Sequence, residues 1–259
     1  MVSLQIDCAL EAKDRILAEL WERGTLGVVE EDAPGGGCRL RAWFDEVFDA
    51  RAWNGEWVAD EDRDWVAVSR EGWQPLEVGQ RFFLVPAWRD DPDPAGRLRL
   101  AIDSGTACGT GYHEATQLCL EALERWLRPG DTLLDVGTGS GILAEAALLL
   151  GASRAAGCDI DPEAVIYARQ RTRAHLFAGS LRAVRNAAAD TLVANINQVT
   201  LVSMAADIRR VLKPGGRAVL SGFRAGELAA VERAISLPRL DLLEFQGWSC
   251  LVSGEWLEA

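Results

Sequence analysis

The chain has 259 residues, enough for one large domain or two small ones. Hydrophobic residues make up 49% and charged residues 25%, an ordinary globular composition that excludes wholesale disorder. The net charge of −12, from 39 Asp+Glu against 27 Lys+Arg, disfavours a general nucleic-acid binder and suits basic partners or plain solubility.

The acidity is concentrated early. Residues 1–66 hold 16 Asp+Glu and 7 Lys+Arg, a net of −9, whereas the rest hold 23 and 20, a net of −3. Within this acidic part residues 4–8 alternate and predict a strand, and residues 9–23 place Leu10, Ile16, Leu17, Leu20 and Trp21 at helical spacing, closed by Gly24. Residues 26–29 and 40–44 predict two further strands joined by the Pro34-Gly35-Gly36-Gly37 turn, and residues 45–52 a second helix. The order β-α-β-β-α sketches a small α+β sandwich of ferredoxin type.

Residues 60–97 differ in texture. A charge run, Asp60-Glu61-Asp62, leads into Trp65, Trp73 and Trp88 among four prolines, which predicts a linker with a strand at 81–85, followed by another at 98–102. Seven of the ten tryptophans precede residue 100; they either fill the small domain and its seam or form a recognition surface. From residue 114 helix and strand alternate. Helices are predicted at 114–127, 140–150, 162–174, 199–212 and 225–235, with strands at 132–136, 155–160, 176–177, 191–196 and 217–221 and a closing hairpin within 242–256. This is the pattern of an α/β fold, a parallel sheet covered on both faces.

Six dispersed cysteines without a C-x-x-C pair predict reduced thiols, and two histidines argue against a His-rich metal centre; no metal is expected. The first residues lack the basic and apolar regions of a signal peptide, and no apolar run approaches bilayer length. A cytoplasmic protein without membrane contact is expected.

The segment Leu133-Leu134-Asp135-Val136-Gly137-Thr138-Gly139-Ser140-Gly141 ends a strand and opens a helix. Its glycines admit a ligand close to the backbone, and the helix start offers unpaired N–H groups, which predicts a nucleotide-like cofactor. The spacing G-x-G-x-G differs from the dinucleotide G-x-G-x-x-G, and no Lys-Ser pair for a triphosphate follows. Asp159, at the end of the next strand, is placed to accept both hydrogen bonds of a ribose diol. Asp161, before Pro162, reads instead as a helix N-cap.

This glycine loop, with Cys158-Asp159-Ile160-Asp161-Pro162 behind it, resembles the class I S-adenosylmethionine-dependent methyltransferases, which implies a Rossmann-like sheet. Upstream, Ala107-Cys108-Gly109-Thr110-Gly111-Tyr112-His113-Glu114-Ala115-Thr116 is similar to the A-F-G-T-G-x-H-x-T-T segment of the ribosomal protein L-eleven methyltransferases (PrmA-type). Val193-Ala194-Asn195-Ile196 resembles that family's V-A-N-I and Leu220-Ser221-Gly222 its L-S/T-G. Trp73-Gln74-Pro75, Phe83 to Trp88 and Ile102-Asp103-Ser104-Gly105 resemble its linker and first strand.

The resemblance implies a substrate-recognition domain at 1–60, a linker at 61–97 and a methyltransferase domain at 98–259. It also implies S-adenosylmethionine held by Thr116, Gly137, Gly139, Asp159 and Asn195. On the residues alone, Thr116 reads as a first-turn helix residue and Asn195 as a strand-end cap, while His113 either orients the loop or caps the helix. With the resemblance, Asn195 becomes the group that positions the methyl acceptor, and no obligatory base is expected because a sulfonium methyl is already activated. The implied reaction methylates amine nitrogens, lysine side chains or an α-amine, of a basic protein, a large-subunit ribosomal protein in this family. The enzyme is expected to be a monomer that binds no nucleic acid directly. A different protein or small amine as substrate, and a non-catalytic cofactor-binding protein, are the rival readings. Cys108, Ser104 and the E-A-T at Glu114 to Thr116 depart from the family pattern, and the short stretch between Ala168 and Asp190 leaves the adenine pocket open, with Gly179-Ser180 as its candidate.

Overall fold

A computed structural model describes residues 2–33, 37–58, 73–102 and 111–255. The 34–37 turn (but for Gly37), the charge run at 60–62, Trp65, Trp256 and the motif residues 103–110, Cys108 included, lie outside the described residues. The chain divides into two compact units, residues 1–72 and 73–259, so residues 73–97, read above as linker, count with the second unit.

In the first unit β1 (Val2–Cys8), α1 (Leu10–Glu22), β2 (Gly27–Ala33), β3 (Gly37–Phe44) and β4 (Glu56–Val58) form a helix-backed antiparallel sheet in the order β2-β3-β1-β4. The strict alternation of β3 sends Cys38, Leu40, Ala42 and Phe44 into a core with Leu4, Ile6, Ile16 and Leu20. Leu10 and Trp21, counted above on the apolar face of α1, are 63% and 58% exposed. The helix expected at 45–52 does not form. Asp49 accepts the Arg51 backbone N–H at 3.1 Å, a local bond that competes with helical pairing. Phe48 instead packs edge-on against Phe44 and Trp57, at 4.8 and 5.1 Å, leaving only a 3-10 turn at Arg51–Trp53.

The second unit begins with a three-stranded sheet, β5 (Leu76–Val78), β6 (Phe82–Pro86) and β7 (Leu98–Ile102), in which β6 lies antiparallel to β5 and parallel to β7. Trp73 packs here against Trp88 and Tyr112, at 5.8 and 4.9 Å. The alternating part follows as α2 (Glu114–Trp126), β8 (Thr132–Val136), α3 (Ile142–Leu149), β9 (Arg154–Asp159), α4 (Pro162–Ala168), β10 (His175–Ala178), β11 (Ala189–Asn195), α5 (Gln198–Val211), β12 (Leu212–Arg224), α6 (Leu228–Ile235), β13 (Arg239–Phe245) and β14 (Trp248–Gly254).

These strands make one seven-stranded sheet in the order β10-β9-β8-β11-β12-β14-β13, parallel except for β14, which runs antiparallel to both neighbours. Separate apolar clusters cover its two faces, as the near-continuous apolar strands require. This is the Rossmann-like sheet that the resemblance implies. Helix α4 ends six residues before the predicted 174. Thr172 Oγ1 and the Arg173 backbone N–H both donate to Glu145 of α3, at 2.9 and 3.1 Å, which draws the chain off the helix axis. The order of strands reverses between β8 and β11, and a sheet of this kind binds ligands beyond the carboxyl ends of the strands at that reversal.

Candidate active site

A cleft of 640 Å³ opens at that point, and Thr116, Gly137, Gly139, Asp159 and Asn195 all line it. They come from four separate elements: the first turn of α2, the loop after β8, and the last residues of β9 and β11. In the loop, Gly137 (φ 70°), Gly139 (φ 51°) and Gly141 (φ 81°) take up the left-handed region that side chains disfavour. A Cβ on Gly137 would stand 2.6 Å from Cγ2 of Ile196, which also lines the cleft. The loop is tied to β9 by the Gly137 and Thr138 N–H groups, which both donate to the Cys158 carbonyl, at 2.9 and 3.1 Å.

Asp159 braces the loop from the other side. Its Oδ2 accepts the Gly139 N–H at 3.0 Å and its Oδ1 the Asp161 N–H at 3.1 Å. Each oxygen retains acceptor capacity for a further donor. Asp161 caps α4 through the Glu163 N–H at 2.9 Å, as its place before proline predicts. Across the cleft, Asn195 Nδ2 donates to Thr116 Oγ1 at 3.0 Å. The bond fixes the Asn195 amide and leaves its carbonyl oxygen and the Thr116 hydroxyl proton uncommitted to each other. His113 is the N-cap of α2, its Nδ1 accepting from the Ala115 N–H at 3.2 Å. Its ring meets Trp248 edge-on at 4.5 Å, and the Arg224 guanidinium lies 3.8 Å over the same tryptophan.

Behind the loop Asp135 is 1% exposed. Burial pushes its carboxyl up to about 7, against the opposing pull of the Thr138 hydroxyl and the Ala144 amide. Thr138 Oγ1 donates to Oδ2 at 2.7 Å, while Oδ1 makes no hydrogen bond among the described residues. Cys158, also in the wall, is pushed up to about 12, first by burial and then by Asp135.

The sequence pattern of the family described as "Ribosomal protein L11 methyltransferase (PrmA)" matches residues 39–256. The chain belongs to this family. Curated ribosomal protein L11 methyltransferases from Burkholderia cenocepacia (strain HI2424) and Burkholderia vietnamiensis (strain G4) are 44% and 43% identical over 200 residues. Each match covers 74% of this chain but only 65% of the relative, so the chain spans about two thirds of the length of these PrmA proteins. The crystal structure of a ribosomal protein L11 methylase from Lactobacillus delbrueckii subsp. bulgaricus superposes with a TM-score of 0.64 at 28% identity, covering 70% of this chain and 96% of that one.

Three features of this PrmA member escaped the sequence reading. The exposed side chain of Ile160, 84% accessible, borders the cleft beside Gly179 and Ser180. The buried pairing of Asp135 with Thr138 was hidden because a loop threonine gives no pattern of its own. Gly222 (φ 92°) brings β12 against the residue after Asn195, where a Cβ would stand 2.6 to 2.8 Å from Ile196 backbone atoms; the motif Leu220-Ser221-Gly222 was the available signal.

Proposed function

We propose that the chain is an S-adenosylmethionine-dependent protein N-methyltransferase that modifies amine nitrogens of a basic ribosomal protein. The observation that carries this reading is the convergence of Thr116, the glycine loop, Asp159 and Asn195 on one cleft at the strand-order reversal. The residues fit the cofactor. Glycine at 137 lets the loop take a left-handed turn and pack against Ile196 at the mouth of the cleft, and the two Asp159 oxygens each have a lone pair for one hydroxyl of a ribose diol. The cofactor, when bound, supplies a methyl group already activated on a sulfonium centre.

What remains for the protein is placement. Thr116 donates its hydroxyl proton to the carboxylate of the cofactor and holds Asn195 in one orientation. The Asn195 carbonyl oxygen accepts from the substrate amine and points the nitrogen lone pair along the line of transfer. An amine near pKa 10 must first lose its proton, which desolvation in the cleft favours. The acidic first unit gives a basic substrate protein an electrostatic landing surface, an attraction that weakens with salt.

Calorimetry with S-adenosylhomocysteine tests the cofactor reading. The native protein binds, and Asp159→Ala binds at least about tenfold more weakly, since each hydrogen bond to a charged group is worth about 1.5–3 kcal/mol. Undiminished affinity in the variant refutes the assignment. Tritiated S-adenosylmethionine and ribosomal proteins from a strain lacking the gene test the substrate: one labelled band is expected, and none would point to a different protein or a small amine.

A further inference from the structure

Between residues 164 and 189 the chain carries five arginines and one histidine and no acidic residue, in a molecule of net charge −12. The stretch includes most of α4, the edge strand β10 and the 3-10 turn Leu181–Ala183. Some of these cations are already engaged. Arg169 donates to the Leu176 carbonyl at 2.8 Å, Arg171 lies 3.7 Å over the Tyr167 ring and Arg173 reaches Glu145 at 3.2 Å. Arg182 and Arg185 are different. They are exposed and make no ion pair among the described residues, and the same holds for Arg154 at the start of β9.

Of the three, Arg185 lines a groove of 330 Å³ whose floor includes Leu134, Ala156, Phe177 and Val184, and Arg154 and Arg182 lie next to it in the chain or on the strand face. Side chains two apart on a strand share a face. Arg154 therefore stands on the same face as Ala156, and His175 on the same face as Phe177. Arg182 immediately precedes Ala183, which also lines the groove. The register sets Arg154 beside Thr132 and His175 beside Ala156. Arg154 and His175 begin their strands, whereas the cofactor cleft lies beyond the strands' far ends, so the two sites are distinct. The carboxylates that adjoin the lining residues Thr132 and Ala189 in the chain are occupied. Asp131 accepts from Thr191 Oγ1 and Arg217, and Asp190 accepts from the Thr132 N–H and Lys213.

We propose that this arginine-rimmed groove binds single-stranded RNA, with Arg154, Arg182 and Arg185 on phosphates and a base against the apolar floor at Phe177. Unpaired cations alone fit any polyanion; an open apolar floor with an aromatic edge between them fits a chain that alternates phosphate with flat bases. Protection of an edge strand against aggregation accounts for cations along β10, but not for Arg154 on β9 or Arg185 after the 3-10 turn. The proposal runs against the expectation drawn from net charge, and it does not depend on the methyl-transfer reading.

The test uses the full chain and a fluorescein-labelled single-stranded oligouridine, followed by anisotropy from low to physiological salt. The native protein binds with a steep salt dependence. The triple variant Arg154→Ala, Arg182→Ala, Arg185→Ala binds at least about tenfold more weakly, with a log–log salt slope shallower by about 2, from about 0.7 per lost phosphate contact. Its S-adenosylhomocysteine affinity and melting temperature stay at the native values. Absence of oligouridine binding by the native protein at low salt, or equal binding by the triple variant, overturns the proposal. Displacement of oligouridine by polyglutamate at equal charge also overturns it and assigns the groove to an acidic protein.

Discussion

Replacing Asp135 by asparagine gives the most direct reading of the charge state behind the glycine loop. Burial raises this carboxyl from 3.8 to about 7, so between those values the folded protein holds a proton that the unfolded chain releases. Stability contributed by the protonated carboxyl is thus fully present below pH 3.8 and is lost as the pH climbs to about 7. Three units at about 1.4 kcal/mol each come to about 4 kcal/mol across the window. Asparagine keeps the shape and an acceptor for Thr138 without titrating. Urea unfolding of the cofactor-free native and Asp135→Asn proteins from pH 5 to pH 8 isolates this group, because the other titrations cancel in the difference. The difference should move in favour of the variant by at least about 1 kcal/mol per pH unit up to pH 7 and then level off. A difference that is flat over that range would mean that Asp135 is ionised throughout, and the account of its environment would fail.

Four further outcomes are expected. Gly222→Ala forces a Cβ to within 2.6 Å of the Ile196 carbonyl oxygen, so turnover should fall far more than S-adenosylhomocysteine affinity does, which paired kinetics and calorimetry would resolve. Thr116→Val removes the partner of the Asn195 amide; kcat should drop by about tenfold or more while thermal stability changes by no more than about 1 kcal/mol. Arg217→Met leaves Asp131 with a buried charge in place of a 3.2 Å ion pair and should cost about 3–5 kcal/mol in denaturant unfolding. Cys158, pushed up to about 12, should resist iodoacetamide at pH 8 in the folded protein and react on unfolding, as peptide mass spectrometry would show.

The sequence made the second unit legible because buried parallel strands and amphipathic helices carry strong patterns, and because Gly137, Gly139 and Asp159 sit at the junctions where those patterns change. Asp161 was legible for the same reason, as a cap beside proline. Helix α4 was overextended since its end is set by Glu145, a residue of another helix, and nothing local marks the stop. The missing helix after β3 is a similar case: local spacing favoured it, but the tertiary contacts of Phe48 and the Asp49–Arg51 bond prevailed. Within the cleft, Thr116 and Asn195 could be named from family motifs, yet their hydrogen bond joins residues 79 apart and no pattern along the chain announces it.

Strand β14 occupies the slot between β12 and β13, although it is made after both. Until residues 248–254 leave the ribosome, the flank of β12 from Arg217 to Arg224 has a full row of backbone groups with no neighbour to take them. A nascent chain is therefore at its most adhesive just before that strand is added, and a stop codon at any point after β12 and before Trp248 would release a product with an open, apolar edge primed for aggregation.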